Sequence, residues 1–90
     1  MKFEWDKNKA DKNLGKHRIS FDEAKTIFDD PLYVDFYDVD HSAEEERYLI
    51  VGRSNRERLL IVSYPEREDS IRIISAREVT KSEREAYEEG

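Results

Sequence analysis

Polar and apolar residues alternate through Lys2-Phe3-Glu4-Trp5, a period-two pattern that predicts a short first strand. Asp6 then supplies an N-cap for a helix running to about Lys16, with Ala10 and Leu14 spaced along one face and Gly15 close to its end. Ser20 and Glu23 have the spacing of a capping box, and Phe21, Ala24, Ile27 and Phe28 form the apolar face of a second helix that Pro31 cannot continue. From Leu32 to Val39 the period returns to two, with Leu32, Val34 and Phe36 set against Tyr33, Asp35 and Tyr37. Asp38 to Glu46 reads as an acidic loop. Three runs rich in Ile, Leu and Val follow, Arg47–Arg53, Arg58–Tyr64 and Ser70–Arg77, apolar on both faces as a covered sheet requires. Ser54-Asn55-Arg56-Glu57 suits the hairpin turn between the first two, and Thr80 with Glu83 opens a C-terminal helix. The predicted order is β-α-α-β-β-β-β-α. Its short links favour an antiparallel sheet with two N-terminal helices packed on it and a C-terminal helix, one α+β domain over residues 1–90.

Composition narrows the functional classes. With no cysteine, a disulfide scaffold and a thiolate zinc site are both excluded. No apolar run approaches the roughly 20 residues of a membrane span, so a soluble, cytoplasmic domain is expected. A net charge of −6 argues at first against a nucleic-acid partner. The distribution says otherwise. Residues 29–46 hold eight acids and no Lys or Arg, and residues 78–90 add −3, whereas residues 1–18 and 47–77 each sum to +3. Binding follows local potential, so the first helix and the later strands can present a basic face on an acidic protein.

Few residues can do chemistry. Gly15, Gly52 and Gly90 form no phosphate-binding loop, which leaves the histidines and the arginines of the sheet. His17, in Lys16-His17-Arg18, has the intrinsic pKa for proton transfer near neutrality, and equally suits a helix C-cap stabilised by the dipole. Strict alternation through 70–77 would place Arg77 with Ile71, Ile73 and Ser75, and Arg72 with Ile74 and Ala76. Arg77, at a strand end before a helix, can clamp a phosphate and offset charge in a phosphorane-like transition state, or pair with the abundant acids at the surface. Asp38, Asp40, His41 and Glu44 are metal-ligand types, but their spacing fits no known loop and a solvated acidic segment is expected; no metal and no cofactor are implied. Phe36, Tyr33, Tyr37, Tyr48 and Tyr64 can stack on bases or fill core and rim. Tyr64, beside Pro65-Glu66-Arg67, is the one placed to serve acid–base work.

Taken together, Trp5-Asp6, Lys9, Asn13, Lys16-His17, Ser20-Phe21, Glu23-Ala24, Phe28, His41-Ser42 and Glu45-Glu46-Arg47 form an ordered set. With Arg72-Ile73-Ile74-Ser75-Ala76-Arg77, Thr80, Glu83-Arg84 and Tyr87-Glu88, that set resembles the BrnT family of ribonuclease toxins from type II toxin–antitoxin systems. The resemblance implies a RelE-like fold and an endoribonuclease that inhibits translation and growth by cleaving RNA; with attack by the RNA's own 2′-hydroxyl, metal-independent cleavage is expected. It also implies neutralisation by a BrnA-type antitoxin with a ribbon-helix-helix domain, through which alone the complex would meet DNA. His17 and Arg77 sit in the two best-matched motifs and are the expected catalytic residues; on the chemistry of such cleavage Tyr64 would stack or donate a proton, and Lys16, Arg53 and Arg72 would hold flanking phosphates. Tyr64-Pro65-Glu66-Arg67 departs from the pattern of the family, where Thr often precedes the turn, and leaves roles for Glu66 and Arg67 open. The alternatives are a non-catalytic RNA- or protein-binding module and an inactive toxin homologue that serves promoter autoregulation.

Overall fold

A computed structural model describes residues 2–41, 45–67 and 69–89. The elements run β1 (Lys2–Glu4), α1 (Lys7–His17), α2 (Phe21–Ala24) continued as a 3-10 turn over Lys25–Asp29, β2 (Val34–Tyr37), a 3-10 turn over Val39–His41, β3 (Tyr48–Arg53), β4 (Leu59–Tyr64), β5 (Glu66–Arg67), β6 (Ser70–Arg72), β7 (Ser75–Glu78) and α3 (Lys81–Glu89). The main sheet is antiparallel in the order β2-β3-β4-β7. A second, three-stranded sheet has the order β1-β6-β5, with β1 parallel to β6 and Phe3 opposite Ile71. The mixed α+β architecture with two N-terminal helices and a C-terminal helix is the one expected.

Alternation along β3 and β4 divides the apolar residues between two faces of the main sheet. Ile50, Leu60, Val62 and Tyr64, joined by Ala76, pack against Ile19, Phe21, Ala24 and Ile27 of the helical layer. On the outer face Val51, Leu59 and Ile61 pack with Leu49, Val79 and Tyr87, the last contributed by α3. Gly52 lets the 3-10 turn approach β3: a Cβ there would lie 2.9 Å from the Ile27 carbonyl oxygen. No helix among the described residues is long and apolar enough to cross a membrane.

Local signals decide the helix ends. Asp6 accepts from the backbone N–H of Asn8 (2.7 Å) and Lys9 (3.2 Å), capping α1 as expected. The helix passes through Gly15 and ends at Arg18, which takes the left-handed conformation (φ 60°) while its N–H donates to the Leu14 carbonyl. Ser20 caps α2 through the Glu23 N–H (3.0 Å), but the Glu23 carboxylate turns inward instead of returning to the cap. There it accepts from the Ser54 hydroxyl (2.6 Å) and pairs with Arg58 through Nε (3.0 Å) and Nη2. The second helix tightens after one turn, where the Thr26 hydroxyl donates back to the Glu23 carbonyl (2.7 Å).

The two edges of the main sheet differ. At β7, the buried Asn13 of α1 donates to the carbonyls of Ala76 (2.8 Å) and Ile19 (2.9 Å) and accepts the Ala76 N–H (3.0 Å), so its amide stands where another strand would pair. Among the described residues the opposite edge, β2, is bonded to β3 on one side only.

The run 70–77 departs from the single strand expected. Ile71, Ile73 and Ala76 all enter the same core cluster, which an uninterrupted strand cannot achieve because 73 and 76 differ in parity. The chain changes sheets between them: the Ile73 N–H donates to Glu4 (3.0 Å) and the Ile74 N–H to Ser63 (2.9 Å). The additional residue acts as a bulge does. It separates Arg77 from Ile71 and Ile73 and turns it, with Ser75, toward the outer face.

Candidate functional site

Turned outward, Arg77 borders a cavity of about 330 Å³ on the outer face, lined also by Asp38, Asp40, Arg47, Leu49, Ile61, Ser63, Ile74 and Ser75. Leu49 and Ile61 belong to the outer cluster, so the cavity has an apolar floor with the hydroxyls of Ser63 and Ser75 beside it. Two arginines and two acids surround that floor. Asp38 is buried, and its backbone N–H is held by the Arg47 carbonyl (2.9 Å), which ties the acidic turn to the start of β3.

Arg77 is held in place by α3. Its Nη1 and Nη2 donate to Glu83 Oε1 (2.8 Å) and Oε2 (2.9 Å), and Nη1 also reaches the Glu78 carbonyl (3.2 Å). Glu83 in turn accepts the Thr80 N–H (2.8 Å), while Thr80 Oγ1 accepts the Glu83 N–H (3.3 Å), so one capping box fixes both the helix start and the arginine. The guanidinium, followed by the Thr80 bonds, draws the Glu83 carboxyl below its ordinary pKa against the opposing effect of burial. Of the five guanidinium N–H groups these bonds use three. Among the described residues the Nε–H and one Nη2–H have no partner, a side-by-side pair with the spacing of two phosphate oxygens.

Arg53 also lies beside α3. Its backbone N–H donates to Asp30 Oδ2 (2.8 Å), the oxygen that accepts the Tyr87 hydroxyl (2.6 Å). Asp30 pushes the Tyr87 pKa up, chiefly through that bond, whereas the charge of Arg53 opposes the rise. Glu83 and Tyr87, one turn apart on α3, therefore stand next to Arg77 and Arg53 respectively.

The other expected site residues lie elsewhere. Lys16 and His17 form the last turn of α1, Lys16 exposed and His17 half-buried. The adjoining Arg18 carbonyl accepts from Arg58 Nη2 (3.2 Å), which joins this basic turn to the β3–β4 hairpin. Arg72 is half-buried on β6, where its charge helps lower the Asp6 pKa. Neither Lys16, His17, Arg53, Arg72 nor Tyr64 lines the cavity that Arg77 borders. Tyr64, 6% exposed, is enclosed on the inner face by Phe28 (ring centroids 5.2 Å apart) and Tyr48 (5.9 Å). So enclosed, the Tyr64 ring leaves little surface on which a base could stack. Of the metal-ligand types noted in the acidic loop, Asp38 and Asp40 line the cavity and Glu44 lies outside the described residues. Arg47 has no role from sequence and Glu83 only that of capping α3 with Thr80, although both fall in the ordered motif set; that Glu83 also clamps Arg77 depends on how β7 turns into α3.

Over residues 5–83 the chain matches the family described as ribonuclease toxin, BrnT, of type II toxin–antitoxin system. It is also similar to the 1.1 Å crystal structure of the Brucella abortus ribonuclease toxin BrnT, with a TM-score of 0.70 and 21% identity over 90% of this chain and 99% of that one. At that identity the likeness speaks for the fold. No curated protein matches the sequence significantly.

Proposed function

The chain belongs to the BrnT family of ribonuclease toxins of type II toxin–antitoxin systems, and from that premise we propose that it is an endoribonuclease whose reaction centre is the cavity beside Arg77. The family match over residues 5–83 carries the reading, and the unused edge of the Arg77 guanidinium supports the placement. RNA lies across the outer face with one phosphate at Arg77 and Arg47. A base takes the proton of the adjacent 2′-hydroxyl, the 2′-oxygen bonds to phosphorus, and the P–O5′ bond breaks as the 5′-oxygen receives a proton. The products are a 2′,3′-cyclic phosphate and a 5′-hydroxyl. Arg77 faces the negative charge that builds on the phosphoryl oxygens, where a fixed donor acts most strongly. Because the nucleophile belongs to the substrate, the reaction requires no metal-bound water.

His17 is the proton-transfer group we assign first, with Lys16, Arg53 and Arg72 on flanking phosphates; the carboxylate of Asp40, at the cavity itself, is the competing base. The antitoxin is of the BrnA type, and DNA is met only through its ribbon-helix-helix domain. Cleavage of a labelled RNA in EDTA tests the scheme. Arg77→Ala should reduce the rate about 100-fold or more while leaving the fold intact. Full activity of this variant would remove the cavity from the mechanism. Loss in His17→Ala with retention in Asp40→Asn assigns the base to α1, and the reverse assigns it to the cavity.

A further inference from the structure

We infer that the open edge of β2 is the docking site of the protein antitoxin, which adds an extended basic segment there as a further strand of the main sheet; this rests on the toxin reading above. An antiparallel edge strand turns every second residue's N–H and C=O outward, and proteins normally blunt such edges. Asn13 closes the β7 edge with its own amide, whereas among the described residues no strand borders the far side of β2.

The side chains around β2 also suit a partner. Among the described residues, six large apolar side chains are exposed, and five of them fall within 32–39: Leu32 (69%), Tyr33 (47%), Phe36 (40%), Tyr37 (45%) and Val39 (78%). Five exposed apolar side chains within eight residues along one edge strand mark an interaction surface more than chance scatter does. An added strand would bond to the outward backbone groups and cover the strip on both faces, the recognition mode in which backbone gives affinity and alternate side chains give specificity.

Charge chooses the occupant. Residues 29–46 carry −8 while the rest of the chain sums to +2, so the strip is embedded in the acidic part of the molecule. That field attracts a basic peptide. The position also gives the docking a consequence. Phe36 lies opposite Leu49 in the register, and Leu49, Asp38 and Asp40 line the cavity of Arg77. A chain seated on β2 therefore stands at the mouth of that cavity and obstructs RNA there.

The experiment uses the whole toxin and, as probe, the purified antitoxin encoded beside it. Hydrogen exchange of the backbone amides of residues 34–37 is compared between toxin and complex, with Asp35→Lys and Val39→Lys as variants. The expected result is added protection of the Asp35 and Tyr37 amides, the pair turned away from β3, and affinity weakened about tenfold or more by each variant, since each sets a cation against a basic partner. RNA cleavage without antitoxin should stay at the parent rate. Parent-like binding by both variants with unprotected β2 amides overturns the docking site, and continued RNA cleavage would then leave the toxin reading standing. Protection of β2 by RNA, or by a second copy of the toxin alone at high concentration, overturns it as well. Failure of the parent protein both to bind antitoxin and to cleave RNA overturns the two readings together.

Discussion

Asn13→Ala isolates the device that closes one sheet edge. The parent amide makes three bonds, to the carbonyls of Ile19 and Ala76 and from the Ala76 N–H, with the side chain 6% exposed. Each such bond is worth about 1 kcal/mol net, and its loss leaves a backbone group without its partner, so the substitution should cost about 3 kcal/mol. A domain of this size has of order 5–10 kcal/mol in all. Urea unfolding followed by circular dichroism measures the loss; with a slope of about 1 kcal/mol/M the midpoint falls by about 3 M. Asn13→Asp gives an independent check. Its carboxylate would still accept the Ala76 N–H but would face two carbonyl oxygens, and burial with those carbonyls raises the pKa of the introduced group in the folded state. The deficit of that variant against the parent is then smallest below the unfolded pKa of about 3.9 and grows as pH rises through the folded value. A loss below about 1 kcal/mol in Asn13→Ala, or a smaller deficit of Asn13→Asp against the parent at pH 7 than at pH 4, refutes the assignment.

The Glu23 carboxyl lies below its ordinary pKa, first because of the Arg58 hydrogen bond, so its contribution is present above the unfolded value and disappears as pH falls through the folded one. Glu23→Gln should therefore cost about 2 kcal/mol at pH 7 and much less at pH 3, measured by denaturant midpoints; equal losses at both would refute the charge pairing. Gly52→Ala puts a Cβ 2.9 Å from the Ile27 carbonyl oxygen and 3.1 Å from its Cβ, and should destabilise by about 1–3 kcal/mol in thermal melts. Tyr87→Phe removes the 2.6 Å bond to Asp30, which should raise hydrogen exchange in α3 while leaving β3 and β4 unchanged.

What was legible in the sequence was mostly local. Asp6, Ser20 and Thr80 cap helices because a side chain two or three residues from an N–H needs no tertiary context to reach it. The hairpin of β3 and β4 was equally plain, being two apolar runs joined by a polar turn. The change of sheets at Ile73–Ile74 was hidden because both residues are isoleucine, and an apolar pair carries no parity of its own. Arg18 in the left-handed position was masked by Gly15, the residue that usually takes that role, three positions earlier. The site was partly readable: Arg77 stood out at a strand end, but its clamp depends on Glu83, whose spacing from Thr80 already explained it as a cap. His17 and Arg77 could be named but not placed, since alternation and helix periodicity say nothing of how α1 lies on β7.

The parallel pair of β1 and β6 bears on the order of folding. Lys2, Phe3 and Glu4 find their backbone partners at residues 70–73, across most of the chain. The hairpin, by contrast, closes over a short turn, and α1 is capped by its own neighbour. Closing a loop of that length must precede the reward of its contacts, so β1 docks late. Until it does, Phe3 lacks its ring contact with Phe28, 5.1 Å away in the folded chain, and the helical layer has one side unfinished. During synthesis, then, a ribosome carrying this chain holds a first strand without a partner until residue 70 has emerged. The second sheet is thus left unfinished until translation of the domain is nearly done.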